Sequence, residues 1–310
     1  MPKELLLSIV VPVYNEADVL PQFVSVLHGV LDETEVVAEL VFVDDGSTDA
    51  SWDTLCQLYD TRNDALLLRF SRNFGKEAAI RAGLERASGD AVVVMDSDLQ
   101  HPPSLLPLIV TTWQQQSVDV VDAVKAENPS LPSRLFSGLF SRLTGYDLRG
   151  ASDYKLISRR AVDLLTAEPG YNLFFRGSTE WLGLNHAAVT YDVPPRSGGT
   201  SKWGTMARLR LAITAITSFT AAPLHLLTLL GLLSLLFAGL LGLQTLLTWL
   251  QGEAVEGFTT VILLILLFGS LIILGLGILG AYLSKIHDEV RHRPRYLLRD
   301  ERDRRVADDG

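Results

Sequence analysis

Ala91-Val92-Val93-Val94-Met95-Asp96-Ser97-Asp98 decides the reading of this chain. Five consecutive apolar residues predict a strand buried on both faces. Two carboxylates one residue apart end it. An acidic pair at the mouth of a buried strand can hold a hard divalent cation, Mg²⁺ or Mn²⁺, against a phosphate-bearing ligand. A lone Asp-x-Asp is often only an acidic surface turn. The strand before it and a further oxygen donor after it, Gln100, favour the metal. The expected arrangement has Asp98 on the ion, with Asp96 and Gln100 on it or just behind it.

Three more apolar runs precede this one, at Leu6–Val13, Glu39–Val43 and Ala65–Phe70. Helical patterns separate them, at Ala17–Leu31, Ala50–Tyr59 and Lys76–Ala87. Alternation of this kind predicts an α/β domain with a mostly parallel sheet covered on both faces. Each run ends in a polar loop: Tyr14-Asn15-Glu16, Asp44-Asp45-Gly46-Ser47, Ser71 to Lys76, and Asp96 to Gln100. Ligands of open parallel sheets bind at the carboxyl edge of the strands, so four such loops describe a pocket. The adjacent acids Asp44 and Asp45 suit a base N–H or ribose hydroxyls, against the plainer reading of a turn with a helix cap. Lys76, after Gly75 and near Arg72, suits a phosphate. Further on, Val118–Ala123 and Tyr154–Ile157 read as short strands and Ala187–Val193 as a half-buried one. Ser133–Leu143 and Arg159 to Thr166 read as helices, and another helix is expected to start at Pro103.

Of the 310 residues 48% are hydrophobic, and the surplus is concentrated near the C-terminus. Pro223–Leu250 and Phe258–Leu283 carry no charged side chain, and each exceeds the roughly 20 residues that span a bilayer. Lys202, Arg208 and Arg210 precede the first; Lys285, Arg291, Arg293 and Arg295 follow the second. The loop 251–257 between them holds two glutamates and no basic residue. This asymmetry predicts a two-span protein of the inner (plasma) membrane with both termini and the soluble domain cytoplasmic. Gly277 and Ala281 have the small-xxx-small spacing that allows close helix approach, either between the two spans or in a homo-oligomer. Gly275 to Gly280 matches G-x-G-x-x-G but joins no strand to a helix, so it is not read as a dinucleotide site. The expected organisation is a soluble domain over 1–196, a juxtamembrane loop and interfacial helix over 197–220, two spans over 221–284, and a charged tail over 285–310.

A net charge of −9 argues against a nucleic-acid partner. Cys56 is the only cysteine, which excludes an intrachain disulfide, and it reads as a small packed residue. Lys3 before Leu5–Val13 imitates a signal peptide, but Glu4 interrupts it and no cleavage site follows.

The motifs together resemble those of the family 2 glycosyltransferases, which have a GT-A fold. They are Pro12 to Glu16, Asp44 to Ser47, Arg72 to Glu77, Asp96 to Gln100, Arg176-Gly177, Trp181 to Gly183, and Arg196 to Lys202. With two C-terminal spans, the chain looks most like the polyisoprenyl-phosphate glycosyltransferases. The resemblance implies metal-dependent, inverting transfer of a sugar from a nucleotide-sugar donor, UDP-glucose as first guess, to a polyprenyl phosphate. By that resemblance Pro12, Tyr14, Glu16, Asp44, Asp45 and Lys76 hold the nucleotide. Asp96, Asp98 and Gln100 position the metal, which puts Asp98 in the catalytic set. Arg134 and Ser137 hold the acceptor phosphate, and Arg196, Ser201 and Lys202 close over the phosphates. Asp153 is the implied catalytic carboxylate and Glu180 a second candidate; either alternatively orients a cation such as Arg176. His101 stands where relatives often carry an acid and is read as a helix start, not a ligand. A processive polysaccharide synthase needs more spans and a Q-x-x-R-W motif, which the chain lacks. A non-catalytic nucleotide-sugar-binding subunit has no need of an intact acidic motif. Two uncharged spans offer a transporter no polar path.

Overall fold

The computed structural model describes residues 5–34, 36–60, 64–126, 138, 141–142, 152–167, 175–192, 220–251, 257–291, 293–303 and 305. The chain divides into two compact units, one of residues 1–204 and 294–310 and one of residues 205–293.

The first unit is built on β1 (Leu6–Val13), β2 (Val37–Asp44), β3 (Ala65–Phe70) and β4 (Ala91–Val94), where the apolar runs predict strands. β1 pairs in parallel with β2 and β4, and β2 with β3. Helices α1 (Leu20–Asp32), α2 (Ser51–Leu58) and α3 (Lys76–Arg86) make the crossovers, since parallel neighbours cannot be joined by a tight turn. A 3₁₀ turn at Pro103–Leu105 leads into α4 (Leu106–Gln116), as expected for a helix begun by proline. β5 (Val120–Lys125), β6 (Lys155–Ser158), α5 (Arg159–Ala167), α6 (Phe175–Trp181) and β7 (His186–Tyr191) follow. β6 runs antiparallel to both β4 and β5, and β5 pairs in parallel with β7. The sheet is therefore mixed but mostly parallel. Each face carries its own core, one around Ile9, Phe23, Phe42 and Tyr154, the other around Val10, Leu68, Ile80 and Phe175.

Sequence reasoning missed the eighth strand. Leu298–Asp303 lies in what reads as a charged tail, yet it forms β8, antiparallel to β3 at the sheet edge. The strand order is β7-β5-β6-β4-β1-β2-β3-β8. Tyr296 stacks on Phe70 at 4.8 Å between centroids. Arg305 then donates from Nη1 to the buried Glu39 carboxylate at 2.9 Å and to the Arg86 carbonyl at 2.9 Å.

The second unit contains α7 (Ala222–Leu250) and α8 (Phe258–Val290). Ala222–Thr248 and Leu264–His287 are long and apolar enough to cross a membrane, with mean hydropathies of 2.4 and 2.6. Both are almost wholly exposed, unlike the core helix of a soluble domain. Among the described residues, the close approach between them is not at Gly277, where nothing lies within 4 Å of a Cβ position. It is at Gly275, where a Cβ would lie 3.1 Å from a Leu227 methyl. Gly275 to Gly280 sits within α8, consistent with rejecting the dinucleotide motif. The expected helix over 133–143, and the juxtamembrane loop and interfacial helix over 197–220, lie outside the described residues, apart from 138, 141, 142 and 220.

Candidate active site

Polar side chains stitch the four loops at the carboxyl ends of β1 to β4 together. Asn15, in a left-handed conformation (φ 54°), donates its N–H to Ser47 Oγ (2.9 Å) and accepts the Thr48 N–H (2.8 Å). Asp45 is buried, and its carboxylate accepts the backbone N–H groups of Phe74 (2.7 Å) and Gly75 (2.9 Å). Burial pushes its carboxyl up to about 6 despite these bonds. Asp44 is fully buried; Oδ1 accepts the Ser47 N–H at 3.0 Å and Oδ2 lies 3.3 Å from Arg69 Nε. Both acids thus brace the loops at this edge of the sheet. Gly46, at φ 67°, fits only because it has no side chain: a Cβ would lie 2.4 Å from the Arg72 carbonyl carbon. Pro12 is buried within β1, whereas Tyr14 is 40% exposed and Glu16 half-buried.

Lys76 opens α3 and joins the third loop to the fourth. Its ammonium lies 2.5 Å from Asp96 Oδ1 and 2.6 Å from Asp153 Oδ2. Arg176, from the first turn of α6, donates to Asp153 through Nε (2.6 Å) and Nη2 (2.9 Å). Three elements far apart in sequence therefore meet at one ion-pair cluster. Burial alone would raise the Asp153 carboxyl, but Lys76 and Arg176 hold it far below the ordinary carboxylate range. A carboxylate held in this way is a poor proton acceptor and a good organiser of cations. Glu77 accepts the Phe175 N–H at 2.9 Å, which docks the start of α6 against α3. Desolvation and the neighbouring Asp153 push its carboxyl up to about 7.

The acidic motif forms a tight loop. Leu99 adopts a left-handed conformation, φ 61°, uncommon for such a side chain. Asp98 Oδ1 accepts the Gln100 N–H at 3.0 Å, and among the described residues no hydrogen bond or ion pair engages Oδ2. His101 is buried, and its Nδ1 accepts the Asp96 N–H at 3.0 Å. The donor set fits a hard divalent cation: two half-buried carboxylates project from one loop, with an oxygen of Asp98 left for a ligand. Asp96 and Asp98 would hold it. Gln100 is half-buried in the same loop.

Glu180 belongs to a different group. With His186 and Asp122 it forms a cluster whose candidate ligand atoms all lie within 4.8 Å of one another. His186 Nδ1 is 2.7 Å from Asp122 Oδ2 and 3.6 Å from Glu180 Oε1. The fully buried Lys155 sits 2.7 Å from Asp122 Oδ1 and donates to Thr179 Oγ1 at 2.8 Å. This ammonium already supplies a positive charge, so the cluster anchors α6 to the sheet without needing an ion. Arg134, Ser137, Arg196, Ser201 and Lys202 lie outside the described residues. Sequence reasoning quoted Glu77 within a motif but gave it no role, and it gave none to Lys155 or Asp122. The signal for the first was a glutamate beside Lys76 at a helix start, and partners some 24 to 64 positions apart gave none for the others.

Comparison with known proteins extends this picture. The sequence profile described as glycosyl transferase family 2 matches residues 8–161. A bactoprenol glucosyl transferase of Shigella phage SfV is 33% identical over 305 residues, covering 96% of this chain and 99% of the phage protein. A prophage bactoprenol glucosyl transferase homolog of Escherichia coli strain K12 is 32% identical over 302 residues, covering 94% and 98%. Among solved structures, glucosyl-3-phosphoglycerate synthase from Mycobacterium tuberculosis in complex with Mn²⁺ and uridine-diphosphate-glucose matches with a TM-score of 0.50 at 21% identity. That match covers 69% of this chain and 79% of the other and shows a shared GT-A-like fold. Identity of a third along almost the whole of both chains reaches past the sheet and through the two apolar helices: this protein belongs to glycosyl transferase family 2.

Proposed function

We propose that this glycosyltransferase moves a sugar from a nucleotide-sugar, with UDP-glucose the first donor to test, to a polyprenyl phosphate at the cytoplasmic face of the plasma membrane. The observation that carries the reading is the Lys76 ammonium between Asp96 and Asp153, with Arg176 on the far side of Asp153. It gathers two cations and the acidic motif at the sheet edge where a diphosphate would lie. The names of full-length relatives as bactoprenol glucosyl transferases support a polyprenyl acceptor. Two membrane-length helices and their basic flanks support the location.

Tyr14 and Glu16 line the nucleotide side, over loops held by Asp44 and Asp45. Lys76 and Arg176, organised by Asp153, meet negative charge on the diphosphate as it departs. A divalent cation on Asp96 and Asp98 would add Lewis-acid neutralisation of that leaving group. An acceptor phosphate oxygen attacks the anomeric carbon; the bond from that carbon to the diphosphate breaks, and the nucleoside diphosphate leaves with the electron pair. A single displacement inverts the anomeric centre. A phosphate monoester has its second pKa near about 6, so it arrives mostly ionised and needs no strong base. Arg134 and Ser137 are assigned to the acceptor phosphate, and Arg196, Ser201 and Lys202 to closure over the phosphates.

The test uses purified full-length protein with Mg²⁺ or Mn²⁺, polyprenyl phosphate and a panel of labelled nucleotide sugars. Label extractable with the lipid, and dependent on Asp98, supports the reading. Donor binding without turnover across the panel overturns it in favour of a non-catalytic subunit. Hydrolysis without lipid labelling overturns the acceptor.

A further inference from the structure

We propose that His101 is a positioning residue of the acidic motif: its imidazole, seated on Tyr154, accepts the Asp96 backbone N–H and holds the Asp96–Asp98 loop ready for a divalent cation. This deepens the function proposed above and rests on its assignment of the metal. His101 is only 4% exposed, and a buried polar ring has to be bonded. Its Nδ1 faces an amide that can only donate, so that nitrogen is the acceptor and the proton of the neutral ring lies on Nε2. The ring is fixed by stacking on Tyr154, with centroids 5.0 Å apart and planes 19° from parallel. The Tyr154 hydroxyl donates to the carbonyl of Pro102, the residue after His101, at 3.0 Å. Tyr154 also directly follows Asp153. One aromatic residue thus ties the acidic loop to the strand segment that presents the Lys76 and Arg176 partner.

The loop has a reason to need this tie. A left-handed leucine at position 99 is a costly conformation, and it persists only where surrounding contacts over-determine it. Among the described residues, Gln100 N–H on Asp98 holds one end of the loop, Asp96 N–H on His101 holds the other, and the Leu99 side chain packs against the core between them. Losing the hydrogen bond to His101 frees the backbone beneath Asp96 and leaves a half-buried N–H without that acceptor.

Two variants separate the acceptor from the ring. In His101→Asn, Oδ1 stands near the place of Nδ1 while the ring is lost; in His101→Phe, the ring remains and the acceptor is lost. Full-length protein is titrated with Mn²⁺ in the presence of UDP, with free Mn²⁺ read by electron paramagnetic resonance, and steady-state constants are measured alongside. His101→Phe should weaken Mn²⁺ binding tenfold or more and raise the metal concentration for half-maximal activity in parallel, leaving the acceptor KM within twofold. His101→Asn should bind within about threefold of wild type. Unchanged Mn²⁺ binding in His101→Phe, equal losses in both variants, or no Mn²⁺ binding by wild type would overturn the proposal. If His101→Phe does not fold, His101→Asn decides alone: binding within threefold upholds the role and a tenfold loss overturns it. Wild type that binds Mn²⁺ with UDP but labels no lipid would sink the acceptor reading and leave this one standing.

Discussion

Arg176 grips Asp153 with two arms of its guanidinium, Nε to Oδ1 at 2.6 Å and Nη2 to Oδ2 at 2.9 Å. The geometry is bidentate, the form in which arginine gains most from a carboxylate. It makes Asp153 an anchor for cations, which bears directly on how the site fails when altered. Asp153→Asn removes the charge that holds Lys76 and Arg176, and kcat should fall at least about 100-fold. Arg176→Lys keeps a charge but loses the fork, and about 10-fold or more should be lost. If Asp153 were the base, the wild-type rate would fall with decreasing pH as its carboxyl protonates between pH 4 and 7. With Asp153 held ionised by its two cations, the pH–rate profile should carry no step from this group in that range.

Glu77 gives a stability signature with a defined sign. Its carboxyl in the folded protein stands at about 7, above its usual 4.5, mainly through desolvation. The folded state therefore holds this proton more tightly than the unfolded chain. The stability contribution is complete below about pH 4.5 and is lost as pH rises toward 7. Glu77→Gln keeps the acceptor for the Phe175 N–H and has no charge to desolvate. Its Tm relative to wild type should climb between pH 5 and 8, by several degrees. A flat or falling difference in thermal melts would refute the assignment.

Gly46→Ala should be severe for so small a change. The left-handed backbone costs about 1 kcal/mol for an L-residue, and the collision with the Arg72 backbone adds about 1–3 kcal/mol. Because the collision parts the second and third loops, UDP affinity should drop at least about tenfold as well. Calorimetric titration with UDP checks this, and unchanged affinity contradicts it.

The strand after the second apolar helix should behave as part of the sheet. Glu39 is buried, accepts from Ser8 and Ser88, and pairs with Arg305. Arg305→Ala should cost about 1–2 kcal/mol, since the arginine itself remains partly exposed. Removing residues 294–310 strips β3 of its antiparallel partner and uncovers Phe70, and should lower the Tm more than Arg305→Ala does. A truncated protein as stable as the whole would show β8 to be dispensable.

Much of the fold was legible because parallel strands buried on both faces must be continuous apolar runs, as Leu6–Val13 and Ala65–Phe70 are. β8 was illegible for the opposite reason. Five of the six residues in Leu298–Asp303 are charged, an edge strand tolerates that, and its register comes from β3 and from Tyr296 on Phe70. In the site, Asp96 and Lys76 were legible as loop residues at strand ends. Their meeting with Asp153 was not, because 77 positions separate Lys76 from Asp153 and only the antiparallel return of β6 beside β4 closes the gap. His101 reads as the start of a helix because a proline follows it; its role was hidden because its partner is a backbone amide, which leaves no mark in a sequence.

The most direct measurement is the anomeric configuration and stoichiometry of the first-turnover product made from α-linked UDP-glucose and polyprenyl phosphate, read by nuclear magnetic resonance with UDP quantified in parallel. A single displacement at the Lys76–Asp153–Arg176 site gives one β-linked polyprenyl-phosphate glucose for each UDP released. An α-linked product, or UDP released with free glucose and no glycosylated lipid, would contradict it.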